Sequence, residues 1–581
     1  MSRAKNNNVK SPLAGFKNRL GLVVCLLGLY GAGLTARLVY LQVVQHEQLL
    51  AEAEKQYVEK IEINTGRGKI YDRNHNPLAT NVDVESVYLN PKEVTDKKQA
   101  LRQLTHSLDL SPETVQRKLD SRRHFVWLKR KIALTEAARL KDKGIPGVGF
   151  IRESRRFYPK RALAASTLGF VGLDNQGLEG VEHYFDDLLK GSTRKTYVER
   201  DARGRPLLDA EEGVLAPSPS HDLELTLDET IQFHTETVLT RQIEQYNARG
   251  GVAIVMEPRS GDILSMATYP PFNPNRYSAA SPEAWRNPAV SHAYEPGSIF
   301  KPIVAAAAVE EGTASPQDIF FCENGEFRIG KATIGEAANH RFGWLSLSKI
   351  IAHSSNIGAI KVAQTLGDRR FFDYIKRFGF GTRSGVSLPG ESSGMLRSVE
   401  NWSGLSLASI SFGHEISVTP LQMVTAMAAI ANGGELVKPR LARGVWKDGK
   451  QVTHYPPQVV RRVISPTTSR KMIGMLKEVV RKGTGKKAAV KGFEVAGKTG
   501  TAQKIDPETH HYSSDNYIAS FIGFVPAESP RLVILVMIDE PRDKYWGGEV
   551  AAPVFSEIAR ETLRYLNVPP QGERVFVLDR A

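Results

Sequence analysis

The chain has 581 residues, 41% hydrophobic and 24% charged, with a formal net charge of +14. That balance excludes a disordered or collagen-like chain and leaves room for more than one domain with a large core. The positive charge points toward nucleic acid at first sight. However, Arg3, Lys5, Lys10, Lys17 and Arg19, with no acidic residue, crowd the first nineteen positions, so part of the excess is a local flank and no nucleic-acid partner is expected.

Directly after that flank comes an uncharged run from Leu20 to Ala36, extended past Arg37 by Leu38 to Val44. Its length reaches the lower limit for a spanning helix, and Arg37 can snorkel to the outer interface. Basic residues before the span place the N-terminus in the cytoplasm and everything after residue 45 outside. The competing reading is a cleaved signal peptide, for which Gly31-Ala32-Gly33 offers small residues; the apolar sequence running on through Val44 favours an uncleaved anchor. Cys25 and Cys322 are the only cysteines, so the part outside the membrane has no intrachain disulfide to rely on. No metal-ligand spacing and no Walker A loop stand out, Gly66-Arg67-Gly68 lacks a phosphate-binding context, and the reading calls for no cofactor and no metal.

Gln45 to Glu62 has polar, helical spacing and reads as a stalk. A mixed region follows, with a charged helical stretch over Thr95 to Lys143, ending at the linker-like Ala216-Pro217-Ser218-Pro219-Ser220. Leu223 to Leu227 alternates as a strand, and Gly251 to Glu257, Pro258 to Gly261 and Asp262 to Ala267 predict a β-hairpin. Thr419 to Asn432 predicts a helix, and Tyr517 to Val525 and Leu532 to Ile538 predict late strands. Strands from both ends enclosing helices imply an α+β fold, an antiparallel sheet beside an α-helical half with a cleft between them.

Three clusters carry chemistry. Ser298-Ile299-Phe300-Lys301 follows Pro296-Gly297 and opens a helix, with Pro302 tolerable only in its first turn. The apolar run Ile303 to Val309 predicts that this helix is buried, which would desolvate Lys301 and make it a base for the Ser298 hydroxyl. Ser354-Ser355-Asn356 lies 56 residues beyond Ser298, and Lys498-Thr499-Gly500-Thr501 lies 200 beyond it on a predicted strand. Each motif alone is common; the ordered set S-x-x-K, S-x-N, K-T-G is the signature of penicillin-binding proteins and related β-lactamases.

The residue chemistry fits acyl transfer. Ser298 attacks a carbonyl, Lys301 takes its proton, and Lys498 adds a second positive charge that disfavours protonation of Lys301. Ser354 relays the proton to the departing amine, and Asn356 fixes a substrate amide. The backbone N–H groups of Ser298 and Thr501 form the oxyanion hole, Thr499 and Thr501 hold a terminal carboxylate beside Lys498, and Gly500 admits the substrate backbone. His353, just before Ser354, reads as a packing or surface residue.

The chain also resembles the class B penicillin-binding proteins, most closely those of the septal type. Arg67-Gly68-Lys69-Ile70-Tyr71-Asp72-Arg73-Asn74 with Pro77-Leu78-Ala79, Arg156-Phe157-Tyr158-Pro159 and Gly177-Leu178-Glu179-Gly180-Val181-Glu182 resemble the family's non-catalytic pedestal motifs. Ser411-Phe412-Gly413-His414, Val418-Thr419-Pro420-Leu421-Gln422 and Gly547-Gly548-Glu549 through Phe555 resemble its catalytic domain. One departure is His75-Asn76, where the pedestal motif usually has a glycine. Turn and interdomain salt-bridge roles are expected for Arg67, Asp72, Arg73 and Glu179.

The resemblance implies a cytoplasmic tail over 1–19, a transmembrane anchor over 20–44, a stalk over 45–62, a pedestal (dimerisation or interaction) domain over 63–220, a transpeptidase domain over 221–567 and a C-terminal tail over 568–581. It further implies D,D-transpeptidation of peptidoglycan stem peptides ending in D-Ala-D-Ala, delivered on a lipid-linked precursor, with β-lactams acylating the same serine. The chain would sit in the cytoplasmic membrane with its catalytic domain outside, beside a membrane glycan polymerase of the FtsW type and other division proteins. The short tail, single anchor and early stop suit the septal type; a lateral-wall transpeptidase, a carboxypeptidase or a mainly scaffolding division protein are the alternatives. A β-lactamase would need a water-activating base, for which no E-x-x-x-N stands in a fitting context.

Overall fold

The computed structural model describes residues 12–49, 58–64, 66–190, 193–199, 220–506, 508–509 and 511–570. The linker over 216–219, most of the cytoplasmic tail and residues 571–581 of the C-terminal tail lie outside these residues. Pro12–Val39 forms helix α1, continued by a π-helical turn over Tyr40–Val44. Among the described residues, Arg19–Val44 is the one helical segment long and apolar enough to cross a bilayer, and the rest of the protein buries none of it. Its Leu and Val side chains, Leu29 and Val43 at 71% exposure, lack any protein partner to cover them.

Of the stalk expected over 45–62, residues 50–57 lie outside the described residues, residues 46–49 are helical, and the last part is extended rather than helical. Val58–Asn64 is strand β1, paired antiparallel along its whole length with Thr193–Glu199. The pedestal then builds β2 (Ile70–Tyr71), β3 (Pro77–Leu89), helices α2 (Lys97–Leu108) and α3 (Pro112–Leu119), β4 (Val126–Ile132), α4 (Leu134–Lys141) and β5 (Val148–Phe157). β6 is the Thr193–Glu199 partner of β1, and β7 is Asp222–Leu225. Asp96 and Ser111 cap α2 and α3 through Gln99 N and Thr114 N. The charged stretch over 95–143 is therefore helical at both ends only. Its middle is β4, where pairing with β3 and burial of Leu128 and Ile132 override the helix preference of Lys129, Arg130 and Lys131.

The catalytic half contains α5 (Glu229–Gln245), β8 (Gly250–Met256), β9 (Ile263–Tyr269), α6 (Lys301–Glu310), α7 (Leu347–His353), α8 (Asn356–Leu366) and α9 (Pro420–Ala431). After them come β10 (Ala442–Lys447), β11 (Lys450–His454), α10 (Pro466–Arg481), β12 (Ala496–Ile505), β13 (Tyr512–Val525), β14 (Leu532–Asp539) and α11 (Ala552–Tyr565). Five of its strands pair antiparallel in the order β12-β13-β14-β8-β9. Strand alternation divides the core: Val252, Ile254 and Met256 pack with α6 and α9, while Ala253 and Val255 face α5 and α11. The expected hairpin, late strands and helix after Thr419 are all present, the last opened by a Thr419–Gln422 capping box.

A seven-stranded sheet joins the halves. It runs β11-β10-β7-β2-β3-β4 with β5 also on β3, so β10 and β11 come from the catalytic half, β7 from the first residues after the linker, and the rest from the pedestal. At this junction Arg67 is buried against Glu182 at 2.5 Å and Asp186 at 2.6 Å, and Arg156 donates to the other Glu182 oxygen at 2.6 Å. The expected salt-bridge role thus falls to Glu182 and Asp186 rather than Glu179. Asp72 accepts from Asn74 N, Asn76 N and, across the junction, Glu229 N. His75 takes the place of the usual glycine in that turn at φ +61°, so the turn keeps a left-handed geometry with a side chain in it.

Candidate active site

Ser298 lies in a 3-10 turn, Gly297–Phe300, immediately ahead of α6, so the expected nucleophile sits just before the buried helix rather than inside it. Residues 301–309 of α6 are all buried, which explains the uniform Ile-Val-Ala run: no face of this helix meets water. Lys301 at its start is 0% exposed. Its amine donates to Ser354 O at 2.6 Å, Asn356 Oδ1 at 2.7 Å and Ser354 Oγ at 3.3 Å.

Ser354 ends α7 in a left-handed conformation, φ +63°, and Ser355 caps α8 by accepting from Gly358 N. This sharp turn between two helices aims Ser354 and Asn356 at Lys301 from one side. From the other side comes β12, an edge strand of the sheet, carrying Lys498, also 0% exposed. Lys498 Nζ donates to Ser354 Oγ at 2.8 Å and Thr499 O at 2.9 Å. The Ser354 hydroxyl therefore bridges two buried amines, the geometry a proton relay needs.

Burial lowers the Lys301 amine to about 7, against the opposing charge of Glu336. Burial, then the charge of Lys301, pushes Lys498 well below the usual lysine range. Repulsion between the two amines adds to burial, so the pair resists holding two protons at once.

Ser298, Ser354, Thr499, Gly500 and Thr501 line one cleft of ≈ 390 Å³. Gly500 has a packing reason as well: a Cβ there would lie 2.9 Å from Ile299 Cγ2, so its bareness lets β12 approach the Ser298 turn. Gly297, at φ +56°, faces Ala502 in the same contact. Thr501 Oγ1 accepts from Gly547 N at 3.0 Å, fixing the strand to the Gly547-Gly548-Glu549 segment on the cleft wall.

Several residues of the cleft escaped the reading by motif. Thr484 Oγ1 lies 2.6 Å from Thr499 Oγ1, and Glu336, His340, Phe342 and Trp546 also line the cavity. They arrive from loops far away in sequence, and only the Gly547 segment had a local signal. His353 reaches the cleft too and packs near the Phe342 ring, 6.0 Å between centroids. His414 of the Ser-Phe-Gly-His motif sits behind the site. Burial, then the Lys301 charge, lowers it to about 4, so its 3.6 Å approach to Glu295 is no ion pair at neutral pH; instead Tyr512 bridges the two, 2.8 Å from His414 Nδ1 and 3.0 Å from Glu295 Oε2.

Comparison with known proteins identifies the family. Residues 251–560 match the penicillin binding protein transpeptidase domain, and residues 62–225 match the penicillin-binding protein dimerisation domain. Stage V sporulation protein D of Bacillus subtilis is 35% identical over 99% of this chain and 88% of its own length. Peptidoglycan D,D-transpeptidase FtsI of Escherichia coli K12 is 32% identical over 93% of this chain and 90% of its own. Among solved structures, penicillin-binding protein 3 of Mycobacterium tuberculosis, complexed with aztreonam, superposes with a TM-score of 0.68 at 29% identity, covering 88% of this chain and 98% of that one. With two domain models in register and full-length relatives at this identity, the chain belongs to the class B penicillin-binding proteins of the FtsI type, built as a serine-type transpeptidase domain on a non-catalytic pedestal.

Proposed function

We propose that this protein is a D,D-transpeptidase that crosslinks peptidoglycan stem peptides through an acyl-enzyme on Ser298. The observation that carries the reading is the convergence of Lys301 and Lys498 on the Ser354 hydroxyl beside the cleft that Ser298 lines. Neutral Lys301 takes the Ser298 proton as Oγ attacks the carbonyl of a terminal D-Ala-D-Ala bond. The tetrahedral oxyanion is held by the Ser298 and Thr501 backbone N–H groups, one on the 3-10 turn and one on β12. Ser354 passes its hydroxyl proton to the departing D-Ala amine and takes in exchange the one that Lys301 had removed from Ser298. The amine of a second stem then attacks the ester, returning the proton to Ser298 Oγ and leaving a new peptide bond. Asn356 binds the donor peptide's amide, and Thr499 and Thr501 hold its carboxylate next to Lys498. A β-lactam presents a strained amide and a carboxylate to the same groups and acylates Ser298 in the same way.

We place the domain in the space outside the cytoplasmic membrane, tethered by the 20–44 anchor with residues 1–19 in the cytoplasm, on the strength of that helix and its basic flank. The domain limits of 63–220 and 221–567 follow the same reading. Duty at the division septum, beside an FtsW-type polymerase that supplies uncrosslinked glycan, is supported by the similarity to FtsI over 93% of the chain.

A fluorescent penicillin is expected to form one covalent adduct on Ser298, located by peptide mass mapping and absent from Ser298→Ala. No adduct on the intact protein would sink the acyl-transfer reading. Depletion in cells separates the duties: filaments support the septum, spheres the lateral wall, and growth sustained by Ser298→Ala would mean a scaffold.

A further inference from the structure

Glu336 stands outside the three motifs, yet it is 8% exposed and reaches the centre of the site. One carboxylate oxygen accepts from Ser355 Oγ at 2.5 Å and Ile357 N at 3.4 Å, and the other accepts from Asn356 N at 2.6 Å. These donors are the turn that carries Ser354 and Asn356 and the first N–H groups of α8, where an anion is stabilised by the unpaired amides. Asn356 in turn accepts from Lys301, so the carboxylate is separated from the Lys301 ammonium by a single residue.

The charges that bear on Lys301 are few. On β12 stands Lys498, and behind the 3-10 turn stands His414, which burial keeps neutral; Ser354 and Asn356 contribute only dipoles. Among the described residues Glu336 is the one carboxylate whose charge acts on Lys301, and it acts to favour the ammonium. A second buried lysine without a carboxylate of its own makes that single negative charge more consequential.

We propose that Glu336 is a positioning residue of the reaction: it holds the Ser354–Asn356 turn through three hydrogen bonds and is the counter-charge that keeps Lys301 seated in that turn. The proposal rests on the acyl-transfer reading and adds to it a carboxylate that no motif contains. Removing the charge should ease deprotonation of Lys301 while loosening the groups that it must engage. The two effects have different signatures, one on the position of the pH–rate curve and one on its height.

The test is the second-order rate of acylation by a fluorescent penicillin as a function of pH, on the full chain in detergent. For Glu336→Gln the acid limb should move down by roughly one pH unit, the size expected for loss of one nearby charge, and the plateau should fall about tenfold. Glu336→Asp keeps the charge but withdraws it by one bond length, so its limb should move in the same direction by roughly half a unit with a smaller loss of plateau. A lowered plateau with an unmoved limb in both variants would overturn the proposal, as would unchanged kinetics. Should Glu336→Gln fail to fold, the limb of Glu336→Asp decides alone. Absence of any adduct on the parent protein would sink the reaction itself, which is a different result from an adduct whose pH dependence ignores Glu336.

Discussion

The pedestal and the cleft each bury cations, and they treat them in opposite ways. In the pedestal, Arg67 is enclosed by Glu182, Asp186 and two backbone carbonyls, and Arg156 shares the Glu182 carboxylate. Burial alone would lower Arg67, but these anions outweigh it and push it up, so the charge is permanent. In the cleft, Lys301 and Lys498 are equally buried but meet mainly neutral oxygens, with one carboxylate between them. Their protons are therefore loosely held. The pairing in the pedestal makes a rigid joint, whereas the shortage of anions in the cleft makes a base.

The largest effect that would sharpen this contrast is on catalysis. Lys301→Met keeps the volume of the side chain and removes the amine, so acylation by penicillin should fall about a thousandfold, within the usual range for loss of a general base. The protein should remain folded, because no buried anion loses its sole partner. Acylation within tenfold of the parent would show that Lys301 is not the base.

In the pedestal the same kind of deletion should do the reverse. Glu182→Gln leaves Arg67 and Arg156 buried with less than their full counter-charge, and the Arg156 Nη2 atom already lacks a partner. Loss of about 3 kcal/mol is expected from urea midpoints, with the pH–rate curve of acylation unmoved in position. A shift of that curve would mean that the joint and the cleft are electrostatically one unit.

The third effect is smaller and has a definite sign. The folded-state affinity of Lys301 for its proton lies below the unfolded one, about 7 against 10.5, so the unfolded chain binds more protons between these values. Stability should therefore rise with pH from about 7 toward 10; the shift sets a ceiling of about 4 kcal/mol, of which only a part is expected because water entering the site resolvates the amine. The rise should flatten in Lys301→Met, which is also expected to be more stable than the parent at pH 6. Arg67, held above the usual arginine range by its anions, contributes no such slope. An identical slope in parent and variant would show that Lys301 is solvated in solution.

How much of this was legible in the sequence depends on range. The hairpin at 250–269, the helix after Thr419 and the strand carrying Lys498 rest on local alternation or capping, and they stand where the sequence puts them. The burial of Lys301 was legible because the helix behind it has no polar face. By contrast, β4 is strand only because β3 lies beside it, and Val58–Asn64 only because β6 does. Glu336 and Thr484 carry no motif, since what brings them to the site is the folding of loops 18 and 130 residues away from Ser354. Glu182 lies inside a five-residue helix and faces Arg67, whereas Glu179 precedes that helix in extended backbone.

His75 offers the finest test of the joint. Its left-handed backbone costs about 1 kcal/mol relative to glycine. Its ring meets Trp446 of β10 edge-on at 4.9 Å, a contact between the pedestal and a strand of the catalytic half worth a similar amount in the opposite direction. His75→Gly should thus change stability by less than about 0.5 kcal/mol, because the two terms nearly cancel. The cancellation can be opened: in a Trp446→Ala background no ring contact remains to be lost, and His75→Gly should then stabilise by about 1 kcal/mol. Equal effects in both backgrounds would mean that the ring contact holds nothing, and that the glycine usual in this turn was replaced here without compensation from the catalytic half.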